Sequence, residues 1–458
     1  MPLEKPNDPY LRTTYAVWEI TLQCNLRCIH CGSRAGEKRP RELSTAEALD
    51  LVHQLADIGI REVSLIGGEA FLRRDWLDIA REIKQCGMRL TMTTGGYGMS
   101  QKMADKMAEV GFTGVGVSVD GLEATHDMLR GRDNSWQWCF RAIDAIQKAG
   151  MKSAVNTQIN RLSAPQLPLI YQRIREAGIR GWQVQLTVPM GNAADRPEIL
   201  LQPWELLDLF PMLNYLRARG REERPHMYPG NNIGFFGPYE RMFRFLEGME
   251  SDEMAFWTGS MGGVLTLGIE ADGTIKADPS LPTDDWAGGN IRERSLREIV
   301  YEAENLTFND QLGTDHLWGF CKGCEFAEVC RGGDTWTAHV FFDKDGNDPF
   351  CHHRALHHAA RGLREHVNLA RRPEGIPFDN GVFETEVRPA SEPVTDPHAF
   401  RFEDIQWPAE WLAADPELPQ RLMAERDRSI EAWRRTRLDW DVTPVKSTTP
   451  QGSRPATP

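Results

Sequence analysis

Residues 15–33 read YAVWEITLQCNLRCIHCGS, a strand-like segment that leads directly into three closely spaced cysteines. β-Branched and aromatic residues dominate its first part, which favours a buried β-strand. Cys24, Cys28 and Cys31 follow within a tight loop, and three thiolates can hold three irons of a cubane and leave the fourth iron open to a small molecule. Zinc is the alternative metal, but a structural zinc site needs four ligands. His30 lies too close in sequence to Cys28 and Cys31 to serve easily as the fourth ligand.

Short strand-like segments alternate with helical patterns from Tyr15 to about Val188. This alternation is typical of βα units that build a parallel sheet. The predicted strands are YAVWEIT, EVSLIGG, RLTMTTG, GVGVSVDG, SAVNTQI and WQVQLTV, and the predicted helices span residues 45–58, 76–85, 100–110, 136–149 and 165–177. Each helix ends on or next to a glycine, as helix C-termini commonly do. Six such units predict an α/β fold with a partial (β/α)6 barrel of the TIM type rather than a closed barrel.

Length, charge and cysteine usage restrict the possible functions. The 458 residues are enough for one large enzyme core and smaller additional modules. The net charge of −13 argues against nucleic acid and anionic membranes as partners, because both need a basic protein face. No apolar segment approaches the ~20 residues of a membrane span, and the N-terminal segment lacks a signal peptide. We therefore predict a cytoplasmic protein whose nine cysteines are mostly reduced metal ligands.

The spacing Cys24-x3-Cys28-x2-Cys31 after the first strand resembles the signature of the radical S-adenosylmethionine (SAM) superfamily. The resemblance assigns the open iron of a 4Fe-4S cluster to the amino and carboxylate groups of SAM. It also implies that the reduced cluster cleaves SAM to a 5′-deoxyadenosyl radical, which takes a hydrogen atom from the substrate. The cofactor performs the difficult step, while the protein orients SAM and excludes water.

Segments at the ends of later strands match further SAM-binding segments of this superfamily. For Gly67-Gly68-Glu69, the resemblance implies that the glycines let the backbone approach the amino group of SAM and that the acid pairs with it. Ser118 and Asp120 end the fourth strand and resemble the segment that contacts the ribose. The remaining candidate SAM contacts are Thr93, Thr94, Asn156 and Gln183. Structural hydrogen bonding at strand ends is the alternative role for the threonines and the glutamine, and no catalytic side chain is assigned.

A second cysteine group lies in CKGCEFAEVC and FCHHR. Its members are Cys321, Cys324, Cys330 and Cys351. Four thiolates can ligate a second 4Fe-4S cluster completely or bind zinc; spacing alone fits both, and the first cysteine group favours iron and sulfur. The spacing resembles the SPASM domain, which in full carries seven cysteines for two auxiliary clusters. Asp278 and Asp334 stand where that family commonly has cysteine, so we predict that one auxiliary cluster is absent and the other is retained.

Several other segments allow two interpretations. The segment YPGNNIGFFGPYE is either a substrate-facing insertion or a connecting loop, and residues 331–339 either line the substrate pocket or replace a lost cysteine turn. The histidines of CHHRALHHAAR either bind metal or lie on a solvated helical face, and we predict the solvated face. Cys86 and Cys139 stand alone, and we predict that both are unreactive packing residues away from the strand ends.

The predicted domain organisation follows from these features. It comprises a radical SAM core over 14–230, a bridging region with a hairpin over 231–310, a SPASM-like domain over 311–365, a helical C-terminal extension over 366–440 and a disordered tail over 441–458. Residues 262–277 are predicted to form the hairpin, with its turn at ADGT, and 203–219 an amphipathic helix. The polar, proline-rich tail cannot fold alone.

The resemblance predicts a radical SAM enzyme that oxidises or crosslinks a ribosomally made peptide, with flavodoxin or ferredoxin as electron donor. Because the first predicted strand begins at Tyr15, a leader peptide would be bound by the insertion, the extension or a separate protein. The alternatives are a peptide epimerase and an enzyme acting on a small molecule such as a modified tetrapyrrole. An epimerase needs a free thiol, for which Cys86 and Cys139 alone remain, so we favour oxidation. A non-catalytic metal scaffold is opposed by the intact Gly67-Gly68-Glu69 segment.

Overall fold

The structure is a computed structural model that describes residues 14–245 and 256–436. The predicted tail over 441–458 lies outside these residues. The strands are β1 Tyr15–Glu19, β2 Glu62–Ile66, β3 Arg89–Thr94, β4 Gly114–Ser118, β5 Lys152–Ile159, β6 Gly181–Leu186, β7 His226–Pro229, β8 Thr266–Ile269, β9 Thr274–Lys276, β10 Ala287–Asn290, β11 Leu363–Arg371 and β12 Val382–Pro389.

The helices complete the architecture. They are α1 Thr45–Asp57, α2 Trp76–Gln85, α3 Gln101–Val110, α4 Glu123–Arg130, α5 Ser135–Lys148, α6 Leu167–Glu176, α7 Leu206–Glu223, α8 Glu240–Arg244, α9 Thr283–Trp286, α10 Leu296–Glu302, α11 Glu304–Gln311, α12 Gly319–Lys322, α13 Ala327–Cys330, α14 Thr335–Phe342, α15 His352–Ala360, α16 Ala409–Ala414 and α17 Leu418–Thr436. No helix within the described ranges is both long enough and apolar enough to cross a membrane.

The six predicted βα strands form a parallel sheet in chain order from β1 to β6. The sheet continues on one side with β7, parallel to β6, and on the other with β8, parallel to β1, followed by antiparallel β9 and β10. The prediction of an α/β core with an open, partial barrel is therefore confirmed. The parallel strand β7 was missed because HMYP has only four residues and no clear alternation.

Local sequence accounts for the positions of these elements. Ser44 and Glu47 form a reciprocal capping box at the start of α1, and Gly111 ends α3 with a φ of +101° that favours glycine. The predicted hairpin is confirmed as β8 and β9, which pair in an antiparallel ladder. The carboxyl ends of β1 to β6 lie at one edge of the sheet, and the loops that leave this edge form the candidate site.

Two predictions for the second half of the chain are wrong. The segment predicted as an amphipathic helix, α7, is buried on most faces because it packs against β7, α8, α15 and α17. The histidines of α15 do not lie on a solvated face but are all less than a tenth exposed, because α7, α17 and β11 cover this helix. They are His352, His353, His357 and His358. The C-terminal extension is helical in α16 and α17, but it begins with the β11–β12 hairpin, whose charged strands gave little signal.

Candidate iron-sulfur sites and active-site cavity

The first cysteine group lies in the loop after β1, and all three of its thiols are free. Burial raises the pKa of Cys24 to about 11 and that of Cys28 to about 12. The backbone N–H of Leu26 donates to Cys24 Sγ over 3.4 Å, and that of Ala35 donates to Cys31 Sγ over 3.4 Å. Buried thiols with high pKa values become thiolates when a metal supplies positive charge, and N–H donors then stabilise that charge. The donor set fits an iron-sulfur cluster.

Gly67 and Gly68 hold this loop against the end of β2. The N–H of Gly68 donates to the carbonyl oxygen of Thr21 over 2.8 Å, and the N–H of Glu69 donates to that of Gln23 over 2.8 Å. A Cβ on Gly68 would lie 2.4 Å from the carbonyl oxygen of Gln23. The glycines are therefore required for close approach of two backbones, a role that sequence reasoning did not assign to them.

The carboxylate of Glu69 is buried and held in one orientation. Its Oε1 accepts a hydrogen bond from Thr94 Oγ1 over 2.8 Å, and its Oε2 accepts one from the N–H of Gly95 over 2.9 Å. Burial outweighs these hydrogen bonds and raises the pKa of Glu69 to about 7. Thr94 thus makes the structural hydrogen bond that was its alternative role.

Asp120 belongs to a buried charge network beside the first cysteine group. Its Oδ2 lies 2.5 Å from Arg130 Nη2 and 3.0 Å from His30 Nε2, and the side chain of Asp120 is fully buried. Burial acts to raise the pKa of Asp120, but Arg130 and His30 together hold it well below the usual carboxyl range. Arg130 also donates from Nη1 to Cys28 Sγ over 3.7 Å. The network ties β4 to the cysteine loop, and no motif in the sequence indicated Arg130.

A central cavity of about 840 Å³ of empty volume opens at the carboxyl ends of the strands. The cysteine loop and β2 contribute His30, Gly32, Ser33 and Gly67 to its wall, and the ends of β5 and β6 contribute Gln158, Gln185 and Thr187. His30 Nδ1 and Thr187 Oγ1 are buried and have no hydrogen-bond partner within the described structure. Buried polar atoms rarely remain unpaired, so both are available to a ligand in this cavity.

The predicted SAM contacts are distributed around this cavity rather than gathered in its wall. Gly67 lines it. Ser118 and Asn156 lie opposite each other in the β4–β5 register, and Thr93 lies opposite Gly116 in β3 and β4. Gln183 is exposed and lines an adjoining cavity instead.

Buried charges form the far wall of the central cavity. Lys276 Nζ lies 2.7 Å from Glu270 Oε1 and 4.2 Å from the centre of the Phe378 ring. Glu19 accepts from Arg39 Nε over 2.9 Å, and burial raises the pKa of Glu19 to about 7. Phe378 comes from the loop between β11 and β12, so the C-terminal extension closes part of the cavity. Sequence reasoning did not identify these residues, because no motif links them.

The adjoining cavity contains the two aspartates that replace family cysteines. Asp278 and Asp334 both line it, and it shares Gln185, Ser280 and Trp336 with the central cavity. Burial raises the pKa of Asp334 to about 6, and the nearby charge of Asp278 contributes. Asp334 also caps α14, because its Oδ2 accepts from the N–H of Thr337 over 3.1 Å. Segment 331–339 therefore both lines a pocket, through Trp336, and forms a capped turn.

The four thiols of the second cysteine group line one cavity of about 340 Å³ of empty volume. They belong to Cys321, Cys324, Cys330 and Cys351, none of which forms a disulfide. Burial and the neighbouring thiols raise the pKa values of Cys321, Cys330 and Cys351, to about 12 for Cys321. Phe236, Phe320 and Phe326 complete an apolar wall around them. Four thiols that line one shielded cavity supply the ligands of a fully ligated cluster, and a four-cysteine zinc site has the same donor set.

A short stretch of chain joins this cavity to the central one. Cys330, Gly332 and Gly333 line the thiol cavity, and Trp336 lines the central cavity. Asp348, also in the thiol cavity, accepts a hydrogen bond at Oδ2 from the N–H of Asp334 over 3.1 Å. The two sites are thus connected through a few residues of rigid, buried structure.

The two lone cysteines lie at opposite ends of the sheet. Cys86 follows α2 just before β3 begins, so it lies near the amino ends of the strands. Cys139 lies in the first half of α5, which starts near the carboxyl ends, and its Sγ is 3.3 Å from the carbonyl oxygen of Ser118 and 3.4 Å from that of Gly95. The prediction that Cys139 lies away from the strand ends is therefore wrong. It is fully buried and absent from the wall of the central cavity as described.

Iron content tests the number of clusters. Because Asp278 and Asp334 replace two thiolates, we expect anaerobically reconstituted protein to contain about eight irons, the content of two cubanes. The Cys321→Ala/Cys324→Ala variant should contain about four irons. The control variant Cys86→Ala should contain as much iron as the wild type. Quantification of iron and sulfide gives the answer, and a wild-type content of about twelve irons would contradict the prediction.

Comparisons with known proteins agree with this geometry. Residues 18–160 match the model of the radical SAM superfamily. An AdoMet-dependent heme synthase from Methanosarcina barkeri is 27% identical over 347 residues, which cover 74% of this chain and 95% of that protein. A mycofactocin maturase from Mycolicibacterium smegmatis is 26% identical over 353 residues, which cover 73% of this chain and 81% of that protein.

Solved structures share the fold. SuiB of Streptococcus suis bound to precursor peptide SuiA has a TM-score of 0.58 at 17% identity, over 74% of this chain and 76% of that chain. The anSMEcpe structure with bound AdoMet and a peptide has a TM-score of 0.58 at 16% identity, over 74% of this chain and 94% of that chain. The matched residues include the cysteine loop at the carboxyl ends of the strands, and the thiol cavity lies in the part of the chain that follows them. Residues 18–160 therefore carry the radical SAM domain, and the fold of the longer chain is that of the two solved structures.

Proposed function

We propose that this enzyme oxidises or crosslinks a ribosomally made peptide. Cys24, Cys28 and Cys31 would bind the cluster that cleaves SAM, and the four cysteines of the thiol cavity would bind an auxiliary 4Fe-4S cluster. When bound, these groups supply a reactive substrate-directed radical and one-electron transfer. The connection between the thiol cavity and the central cavity through Cys330 to Trp336 is the observation that carries the proposal. An oxidation must remove an electron from the substrate, and this connection supplies a route of a few residues.

The residues of the central cavity would position SAM. Gly67, His30 Nδ1 and Thr187 Oγ1 offer backbone space and unpaired polar atoms in the wall of the cavity. Glu69 and Asp120 are held by protein partners, so they act by fixing the cysteine loop and the adjacent strand ends. The part of the cavity beside Lys276 and Phe378 is left for the substrate.

Charge in the two adjoining cavities favours a peptide over a tetrapyrrole. The lining residues of the two cavities include four carboxyl groups and one lysine. This lysine, Lys276, is paired with Glu270. The carboxylates are Glu19, Glu270, Asp278 and Asp334. Glu19 and Glu270 are paired with Arg39 and Lys276, so the repulsion of the carboxylates of a modified tetrapyrrole would come from Asp278 and Asp334 when these are ionised. Peptide amides carry no such penalty.

A small-molecule reaction is the second candidate. It is supported by sequence similarity to a heme synthase over nearly the whole length of that protein. Incubating reduced, reconstituted protein and SAM with a candidate precursor peptide, chosen from short reading frames adjacent to the gene, and separately with an iron tetrapyrrole carboxylate, distinguishes the two. A peptide product that has lost hydrogen supports the proposal. Conversion of the tetrapyrrole alone would establish the second candidate.

We favour oxidation over epimerisation because neither lone cysteine is placed to quench a substrate radical. Cys86 lies at the far end of the sheet, and Cys139 is enclosed by carbonyl oxygens. We also propose a cytoplasmic enzyme that takes electrons from flavodoxin or ferredoxin, with a separate protein or the C-terminal extension binding the leader of the peptide.

The cysteine variants test the oxidative reaction. The Cys321→Ala/Cys324→Ala variant should still convert SAM to 5′-deoxyadenosine but lose finished product, because the oxidation needs an electron acceptor near the cavity. Cys86→Ala and Cys139→Ala, as matched controls, should keep both activities. Mass spectrometry of the peptide and of the SAM products gives both readouts. Loss of product in a lone-cysteine variant, with deuterium from heavy water at a substrate Cα, would establish epimerisation instead.

A further inference from the structure

The thiol cavity has one nitrogen donor in its wall. The side chains that line it, as described, are thiols, phenylalanines, Ala327, Asp348 and His353. Asp348 uses both oxygens as acceptors, from the backbone N–H groups of Asp334 and Phe350. His353 is therefore the lining side chain that has an N–H available for a cluster sulfur.

The C-terminal helix determines which nitrogen of His353 carries the proton. Trp433 of α17 donates from Nε1 to His353 Nδ1 over 3.1 Å. Indole nitrogen is a donor only, so Nδ1 must be the acceptor and the proton of the neutral ring lies on Nε2. The ring is held on its faces and edges as well, 5.1 Å from the Phe326 ring and 6.0 Å from the Trp433 ring.

We propose that His353 donates a hydrogen bond from Nε2 to the auxiliary cluster, and that Trp433 fixes the tautomer that makes this possible. The inference rests on the proposed auxiliary cluster. A hydrogen bond to a cluster sulfur stabilises the more negative, reduced state, so it raises the reduction potential. The hydrogen bond between Trp433 and His353 gives the C-terminal extension a role, because α17 then influences the reduction potential of the auxiliary cluster in the preceding domain.

The test measures the potential of the auxiliary cluster by redox titration monitored by electron paramagnetic resonance. The full-length chain carries Cys24→Ala, Cys28→Ala and Cys31→Ala, so that one cluster remains. His353→Phe keeps the aromatic packing and removes the donor, and we expect a lower potential with unchanged iron content. Trp433→Phe should shift the potential in the same direction by less, because the tautomer is no longer fixed.

Two further variants separate hydrogen bonding from packing. His353→Gln restores an N–H donor and should return the potential toward the wild-type value. His357→Phe, one turn later on α15 and also beside Phe320, should leave it unchanged. If His353→Phe does not retain iron, His353→Met replaces it as the variant without a donor. An unchanged potential without the donor, or an equal shift in His357→Phe, would overturn the inference. Absence of iron in the parent variant would instead contradict the auxiliary cluster itself.

Discussion

Replacement of Cys24, Cys28 and Cys31 with Ala is expected to abolish the conversion of SAM to 5′-deoxyadenosine. The three thiols lie in one half-buried loop at the carboxyl ends of the strands, beside the central cavity. Burial raises the pKa values of Cys24 and Cys28, so without metal these two are neutral thiols. Removal of all three should also lower the iron content by about four atoms, since the site holds one cubane.

The triple variant can be compared with a variant of the second site. Cys321→Ala/Cys324→Ala should lose a similar amount of iron and keep SAM cleavage, so iron content alone cannot explain a loss of activity. Both are assayed anaerobically with dithionite, and the products are separated by liquid chromatography. Persisting 5′-deoxyadenosine formation in the triple variant would refute the assignment of the first cysteine group.

Replacement of Arg130 with Met is expected to destabilise the core by about 3–5 kcal/mol, the usual result of leaving a buried charge unpaired. The partner is Asp120, which is fully buried and 2.5 Å from Arg130 Nη2. Arg130 also donates to Cys28 Sγ, so the first cluster should be retained less well. Urea unfolding followed by circular dichroism reports the first effect, and iron retention reports the second.

Two controls accompany this variant. Lys148→Met breaks an exposed ion pair with Asp144 and should change stability by no more than about 0.5 kcal/mol. The double variant Arg130→Met/Asp120→Asn removes the uncompensated charge and should recover part of the loss. If Arg130→Met costs no more than Lys148→Met, the charge network does not hold the cysteine loop.

Hydrophobic periodicity and residue spacing in the sequence predicted the strands and most of the helices of the βα units, together with the two cysteine groups. The strands β1 to β6 and the helices between them follow from periodicity, and glycines such as Gly111 mark where helices end. The cysteine spacing marked two metal sites, because the ligands of one site are close in sequence. For Gly67 and Gly68 the motif was recognised but the physical reason was different: their Cβ atoms would meet the backbone of Thr21 to Gln23.

Contacts between distant segments were not predictable from the sequence. Phe378 covers Lys276 across a long interval of chain, and Arg130, although near Asp120 in sequence, also reaches Cys28 of the distant cysteine loop. The histidines of α15 were assigned to solvent because their polarity and spacing suit a surface helix. The positions of α7, α17 and β11 bury them, and α17 brings Trp433 to His353. These tertiary contacts, rather than secondary structure, account for the errors.

The central claim is that this protein cleaves SAM reductively with its own cluster. The most direct measurement is the formation of 5′-deoxyadenosine and methionine by anaerobically reconstituted wild-type protein with SAM and dithionite. We predict that both products form in equal amounts, that they accumulate only when reductant is present, and that protein without iron forms neither. Reconstituted, iron-loaded protein that leaves SAM intact under these conditions would contradict the claim.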